Sequence, residues 1–144
     1  MTAQPDSIAI GREAEALLVI GAARRQYPGS AIMPAHLSAP GLEVHRSIEL
    51  EGWSNASRGL TAFFDELAAQ WNGWAGVKKW SDDNATFGFS ATHDRKGLIV
   101  LVVEVANLPH DAPGMWSARI SVPVEPGALD HIAARMRDLA RWPG

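Results

Sequence analysis

The sequence predicts an α+β fold: a mostly antiparallel sheet with two helices packed on one face, a two-layer sandwich. Three observations carry this reading. Stretches of two-residue alternation recur along the chain, while apolar residues at helical spacing occur in only two places. The connections between consecutive strand candidates are short, which favours hairpins over parallel crossovers. The chain has 144 residues, 47% hydrophobic and 20% charged, which suits one α+β domain over residues 1–144 with a self-sufficient core.

Ser7 to Gly11 is a weak strand candidate, and Ala16 to Arg24, with Leu17, Leu18, Val19 and Ile20, a stronger one. Tyr27-Pro28-Gly29-Ser30 and Ala39-Pro40-Gly41 are turn signals. Gly41 to Glu51 has the clearest strand pattern. Leu42, Val44, Arg46, Ile48 and Leu50 fall on one face, and Glu43, His45, Ser47, Glu49 and Glu51 on a wet one. Arg46 is the misfit on the apolar side.

The first helix follows, with Leu60, Phe63, Phe64, Leu67, Ala68 and Trp71 on its buried stripe, Asn55 and Ser57 as N-cap candidates, and Asn72-Gly73 as its stop. Four strands come next: Val77 to Trp80, Ala85 to His93, Leu98 to Ala106 and Met115 to Val124. A four-residue turn over Asp94 to Gly97 would pair His93 with Leu98 and set Phe87 opposite Glu104. Phe87, Phe89, Val100 and Val102 would then share the helix-covered face. The row Ile99, Leu101, Val103 and Val105 would need another cover, such as the early strands or a second subunit, and a one-residue change in the turn would reverse the assignment. Pro126 suits a first helical position, and Leu129, Ile132, Ala133, Met136 and Leu139 form the stripe of the closing helix.

Composition excludes several function classes. Without Cys there are no disulfides, thiolate metal sites or Cys nucleophile. A net charge of -3 gives no electrostatic footprint for nucleic acid. The N-terminus lacks a signal-peptide pattern, and the apolar run Leu98 to Val103 is far too short to span a membrane, so a cytoplasmic protein is expected. No Gly-rich phosphate loop, Gly-x-Ser-x-Gly elbow or Ser-x-x-Lys appears, so neither a cofactor nor a catalytic residue is expected.

The five histidines, His36, His45, His93, His110 and His131, include no pair two to four residues apart, so no metal site is expected. Arg46 and Glu104 both fall on apolar strand faces by parity. Unpaired charge there is expensive, so they are expected to pair with each other or with another partner near the rim of the core, and Glu104→Ala to destabilise far more than Glu49→Ala. Six tryptophans stand beside one tyrosine. Trp71 and Trp116 fit the core by periodicity. Trp53, Trp74, Trp80 and Trp142 lie at element ends, where an indole can serve as a contact hot spot.

The pieces Phe63-Phe64-Asp65-Glu66-Leu67-Ala68, Trp71-Asn72-Gly73-Trp74-Ala75-Gly76, Trp80-Ser81 and Ala91-Thr92-His93-Asp94 occur in order, with Ala39-Pro40-Gly41-Leu42 upstream. Together they resemble a family of small bacterial proteins known only as a domain of unknown function, numbered sixty-two twenty-eight, over roughly residues 35 to 140. Where that family commonly shows Gly-His-Val after the Asp turn, this chain has Gly97-Leu98-Ile99. The resemblance implies no catalytic residues. Similar compact α+β proteins often act as immunity proteins against toxins, an association at the level of fold.

The functional expectation is therefore a non-catalytic protein that binds another protein, with an immunity protein bound to a bacterial toxin domain as its concrete form. Glu43, His45, Glu49, Glu51, Trp53, Trp74 and Trp80 are the expected contact residues, an acidic face suited to a basic partner. The alternative is a small-molecule-binding protein or enzyme with a pocket between sheet and helices lined by Trp71, Trp74, Trp80 and Trp116. A homodimer burying the second sheet face is compatible with both.

Overall fold

The computed structural model describes residues 6–52, 56–107 and 112–143. Its strands, all antiparallel, are β1 (Ser7–Arg12), β2 (Ala16–Gly21), β3 (Arg24–Tyr27), β4 (Ser30–Met33), β5 (Ala35–Ala39), β6 (Leu42–His45), β7 (Ile48–Glu51), β8 (Lys78–Ser81), β9 (Phe87–His93), β10 (Ile99–Asn107) and β11 (Trp116–Val124). Helix α1 (Ala56–Ala69) separates β7 from β8, and α2 (Leu129–Leu139) follows a short 3-10 turn that begins at Pro126. The class is α+β, as the periodicities predict.

The strands form three sheets rather than one, in the orders β1-β2-β5-β6, β3-β4-β7 and β11-β10-β9-β8. The first two are arms of one bent meander. It breaks at the same level on three neighbouring strands: at Ala22-Ala23, at Pro34 and at Arg46-Ser47. Pro34 has no N–H to give the ladder, which favours an interruption at this point. Across the bend, the Pro34 carbonyl accepts from Gly21 N at 2.8 Å and the Ala35 carbonyl from Arg46 N at 3.1 Å. Ala23 N is satisfied outside the sheets, by the Leu139 carbonyl at the end of α2, at 2.7 Å.

This break corrects the reading of Gly41 to Glu51 as one strand. The misfit residue of that pattern, Arg46, marks where the strand divides. Its Nη1 donates to Asn107 Oδ1 at 3.0 Å rather than to Glu104.

The turn between β9 and β10 corrects a second expectation. Asp94 N donates to the Leu98 carbonyl at 3.1 Å, so the loop holds three residues, Arg95-Lys96-Gly97, rather than four. Gly97 at φ 107 supplies the left-handed backbone that such a loop needs. Asp94 Oδ1 closes it by accepting from Lys96 N at 2.7 Å and Leu98 N at 3.0 Å. His93 therefore faces Ile99, and Phe87 faces Val105. Phe87, Phe89, Ile99, Leu101, Val103 and Val105 form one buried face, and Glu104 turns to solvent. The apolar row that lacked a cover is the inner face itself.

The helices pack on each other and reach strands of all three sheets, α1 on β7 and β8 and α2 on β1. Leu60, Phe63, Phe64 and Leu67 of α1 and Leu129, Ile132, Ala133, Met136 and Leu139 of α2 are buried, matching both predicted stripes. Helix α1 ends before Trp71, which is 57% exposed. Ser57 lies inside its first turn, where Oγ donates to the Ala140 carbonyl at 2.8 Å and ties α1 to α2. Asn55 lies outside the described residues.

Candidate functional site

Side-chain alternation gives the β8–β11 sheet one inner, buried face and one open face. The open positions are mostly small: Ser81 on β8, Gly88 and Ser90 on β9, Ala106 on β10 and Ser117 on β11. Long charged side chains stand among them, Lys79 on β8, Glu104 on β10 and Arg119 on β11. These low residues, with Lys79 and Arg119 on the two edge strands and Glu104 between them, line a trough of about 690 Å³.

One register row crosses the trough from Ser81 through Gly88 and Glu104 to Arg119. Glu104 thus has a position without a side chain on one flank and a guanidinium-bearing residue on the other. Among the described residues, Lys79, Glu104 and Arg119 enter no ion pair. Ser81 Oγ donates to the Asp82 carbonyl at 3.0 Å. The trough offers a forked donor, an ammonium, hydroxyls and one carboxylate acceptor, a set that reads polar groups of both signs.

The expected acidic face is not continuous. The bend separates Glu43 and His45 on β6 from Glu49 and Glu51 on β7, in different sheets. Glu49 Oε1 accepts from Asn84 Nδ2 at 2.6 Å, and Glu51 stands opposite Ser30 on β4. On the other arm, His45 is the cross-strand partner of His36, their rings stacked at 4.1 Å and 6°. His36 Nε2 donates to Glu43 Oε1 at 2.9 Å. A search for local histidine pairs misses this group, because β5 and β6 bring together positions nine residues apart in sequence. His93 is a structural tie. Its Nε2 donates to the Trp71 carbonyl at 2.8 Å, and its Nδ1 accepts from Arg95 N at 2.7 Å. His110 lies outside the described residues.

The tryptophans divide differently from their periodicity. Trp74, an expected contact residue, is only 6% exposed; its ring meets His93 edge to face at 5.1 Å, and its Nε1 donates to the Ala91 carbonyl at 3.3 Å. An indole that fills the core and satisfies its own N–H there offers little surface to a partner. Trp80 is half-buried, stacked on Phe89 at 5.7 Å, and lies against Gly59 of α1. Trp116, expected in the core, is 37% exposed at the start of β11. Trp71, Trp74, Trp80 and Trp116 therefore do not share one buried pocket between sheet and helices. Trp53 lies outside the described residues.

The trough itself was missed because its face depends on the β9–β10 register. With the turn one residue longer, Glu104 falls on the covered side. The detectable signal was the small-residue pattern Gly88-x-Ser90 beside a central charge. No described helix is long and apolar enough to cross a membrane. The model of a family of unknown function (DUF6228) matches residues 12–143. No curated protein matches the chain.

Proposed function

The chain belongs to the DUF6228 family, which assigns it no activity, and from its own geometry we propose that it is a non-catalytic protein that binds another protein on the open face of the β8–β11 sheet. The observation that supports this most is the trough, a concave four-stranded face whose Lys79, Glu104 and Arg119 enter no ion pair among the described residues. Small molecules are held in clefts that enclose most of their surface. A half-open trough that spans four strands and carries both charge signs suits an extended polypeptide segment or a loop bearing both charge signs. The alternating charges would set the register and orientation of that segment.

The concrete partner class is a toxin domain, with this chain as the immunity protein that neutralises it. The reading moves the contact surface from the Glu43 and Glu49 strand to the trough, because the bend divides the first and leaves the second contiguous.

The test is a tagged pull-down from the native cell with two preparations, wild type and the double variant Glu104→Lys, Arg119→Glu. A protein recovered in near-equal amount by wild type and lost by the variant, with both melting at the same temperature, is the expected result. Equal recovery by both would overturn the trough as the surface. A clean wild-type preparation whose tryptophan fluorescence responds saturably to a metabolite would overturn the protein-binding reading.

A further inference from the structure

We infer that His36, Glu43 and His45 on the β5–β6 hairpin form a binding site for a divalent transition-metal ion of the zinc type. Three potential donors lie on one face of two paired strands. His36 and His45 are directly opposed, and Glu43 is two residues before His45 on the same strand face. Their ligand atoms all lie within 4.8 Å of one another. The set, two imidazole nitrogens and one carboxylate oxygen, is that of a three-ligand zinc site with a position left for water or an incoming group. Calcium and magnesium favour all-oxygen shells, so imidazole donors select against them.

The hairpin also lowers the cost of assembly. The pairing of His36 with His45 and of Ser38 with Glu43 fixes both backbones, so binding must order only side chains. The His45 and Glu43 side chains are exposed and His36 is half-buried, which leaves the rings free to swing from the stack until their in-plane lone pairs meet. A metal–nitrogen bond of about 2.0–2.1 Å requires that swing, since stacked parallel rings cannot both aim at one point. The carboxylate already draws the His36 N–H at 2.9 Å, and a dication in that place would replace the shared proton with a stronger link. Glu43 and His45 are exposed and β6 is an edge strand, so an ion from solvent would reach the three donors directly.

The experiment is isothermal titration of the metal-free protein with zinc chloride, alongside His36→Ala, His45→Ala, Glu43→Gln and, as a control on α2, His131→Ala. The expected result is one zinc per chain for wild type and for His131→Ala. Removing either hairpin imidazole is expected to weaken binding by about tenfold or more, with a smaller loss for Glu43→Gln. Replacing zinc with magnesium should give no saturable heat. Absence of saturable zinc binding by wild type, or an affinity unchanged in His36→Ala and His45→Ala, would overturn the assignment. Circular dichroism of each variant separates loss of ligands from loss of fold, and a variant that fails to fold is replaced by His36→Gln or His45→Gln.

Discussion

Gly11 shows how much one residue can decide. It lies within β1 opposite Leu17 at φ 111, and an added Cβ would lie 2.3 Å from the Ala16 carbonyl oxygen and 2.6 Å from Val122 Cγ1. The first obstacle is backbone and cannot rotate away. Gly11→Ala is therefore expected to cost about 2–4 kcal/mol, read from urea melts; an unchanged midpoint would contradict this packing of β1 on β11. Asp82 is a second such residue. Only 4% exposed, its carboxylate accepts from Thr86 N at 2.9 Å, Thr86 Oγ1 at 2.8 Å and the more distant Phe87 N, shaping the loop between β8 and β9. Asp82→Ala strands those donors and should cost about 2–3 kcal/mol, with Asp82→Asn milder because one oxygen still accepts. Glu104, by contrast, is exposed, so Glu104→Ala and Glu49→Ala should both stay within about 0.5 kcal/mol of wild type in the same assay. The sequence does not reveal this role of Asp82, since alternation and composition do not report which carboxylate folds inward.

At the scale of elements, existence was more legible than geometry. Both helical stripes and the four C-terminal strands follow from periodicity because each has one dry face. The β9–β10 register does not, because it hangs on a single turn residue. Asp94 illustrates why: its backbone pairs with Leu98 while its carboxylate accepts from the loop, and neither bond leaves a mark on hydrophobic spacing. Those bonds from Leu98 N and Lys96 N hold the Asp94 carboxyl below the usual carboxylate range. A lowered pKa in the folded state adds stability that is complete above the unfolded-state value and is lost as pH falls through the lowered one. Carbon-detected NMR should show Asp94 titrating after most other carboxylates on acidification; titration in the ordinary range would mean that the turn is not closed in this way. The bend of the meander was also hidden, since Arg46 reads as a misfit in a strand until Pro34 and Ala22-Ala23 are seen at the same level. Helix α1 meets β8 where Gly59 faces the Trp80 indole, with room for no Cβ beyond 3.1–3.3 Å. Gly59→Leu should displace that indole, lower stability by about 1–3 kcal/mol and shift tryptophan emission; unaltered emission would contradict the contact.

For the molecule as a whole, the three sheets and the helix pair leave the β8–β11 sheet with a broad open face that carries charges of both signs. The alternation over Gly41 to Glu51 points to its acidic strand residues, but a pattern read along a sequence does not reveal which side chains are already engaged. Glu43 and Glu49 have hydrogen-bond partners, whereas Lys79, Glu104 and Arg119 enter no ion pair among the described residues. On the proposed reading, the trough is therefore the surface that would recognise the partner. The most direct test is the affinity of the captured partner, measured by calorimetry for wild type, Arg119→Glu and Glu49→Lys. The account predicts a loss of about tenfold or more for Arg119→Glu and less than about twofold for Glu49→Lys. The reverse order, with Glu49→Lys the damaging change, would contradict it and return the interface to the strand that carries Glu49.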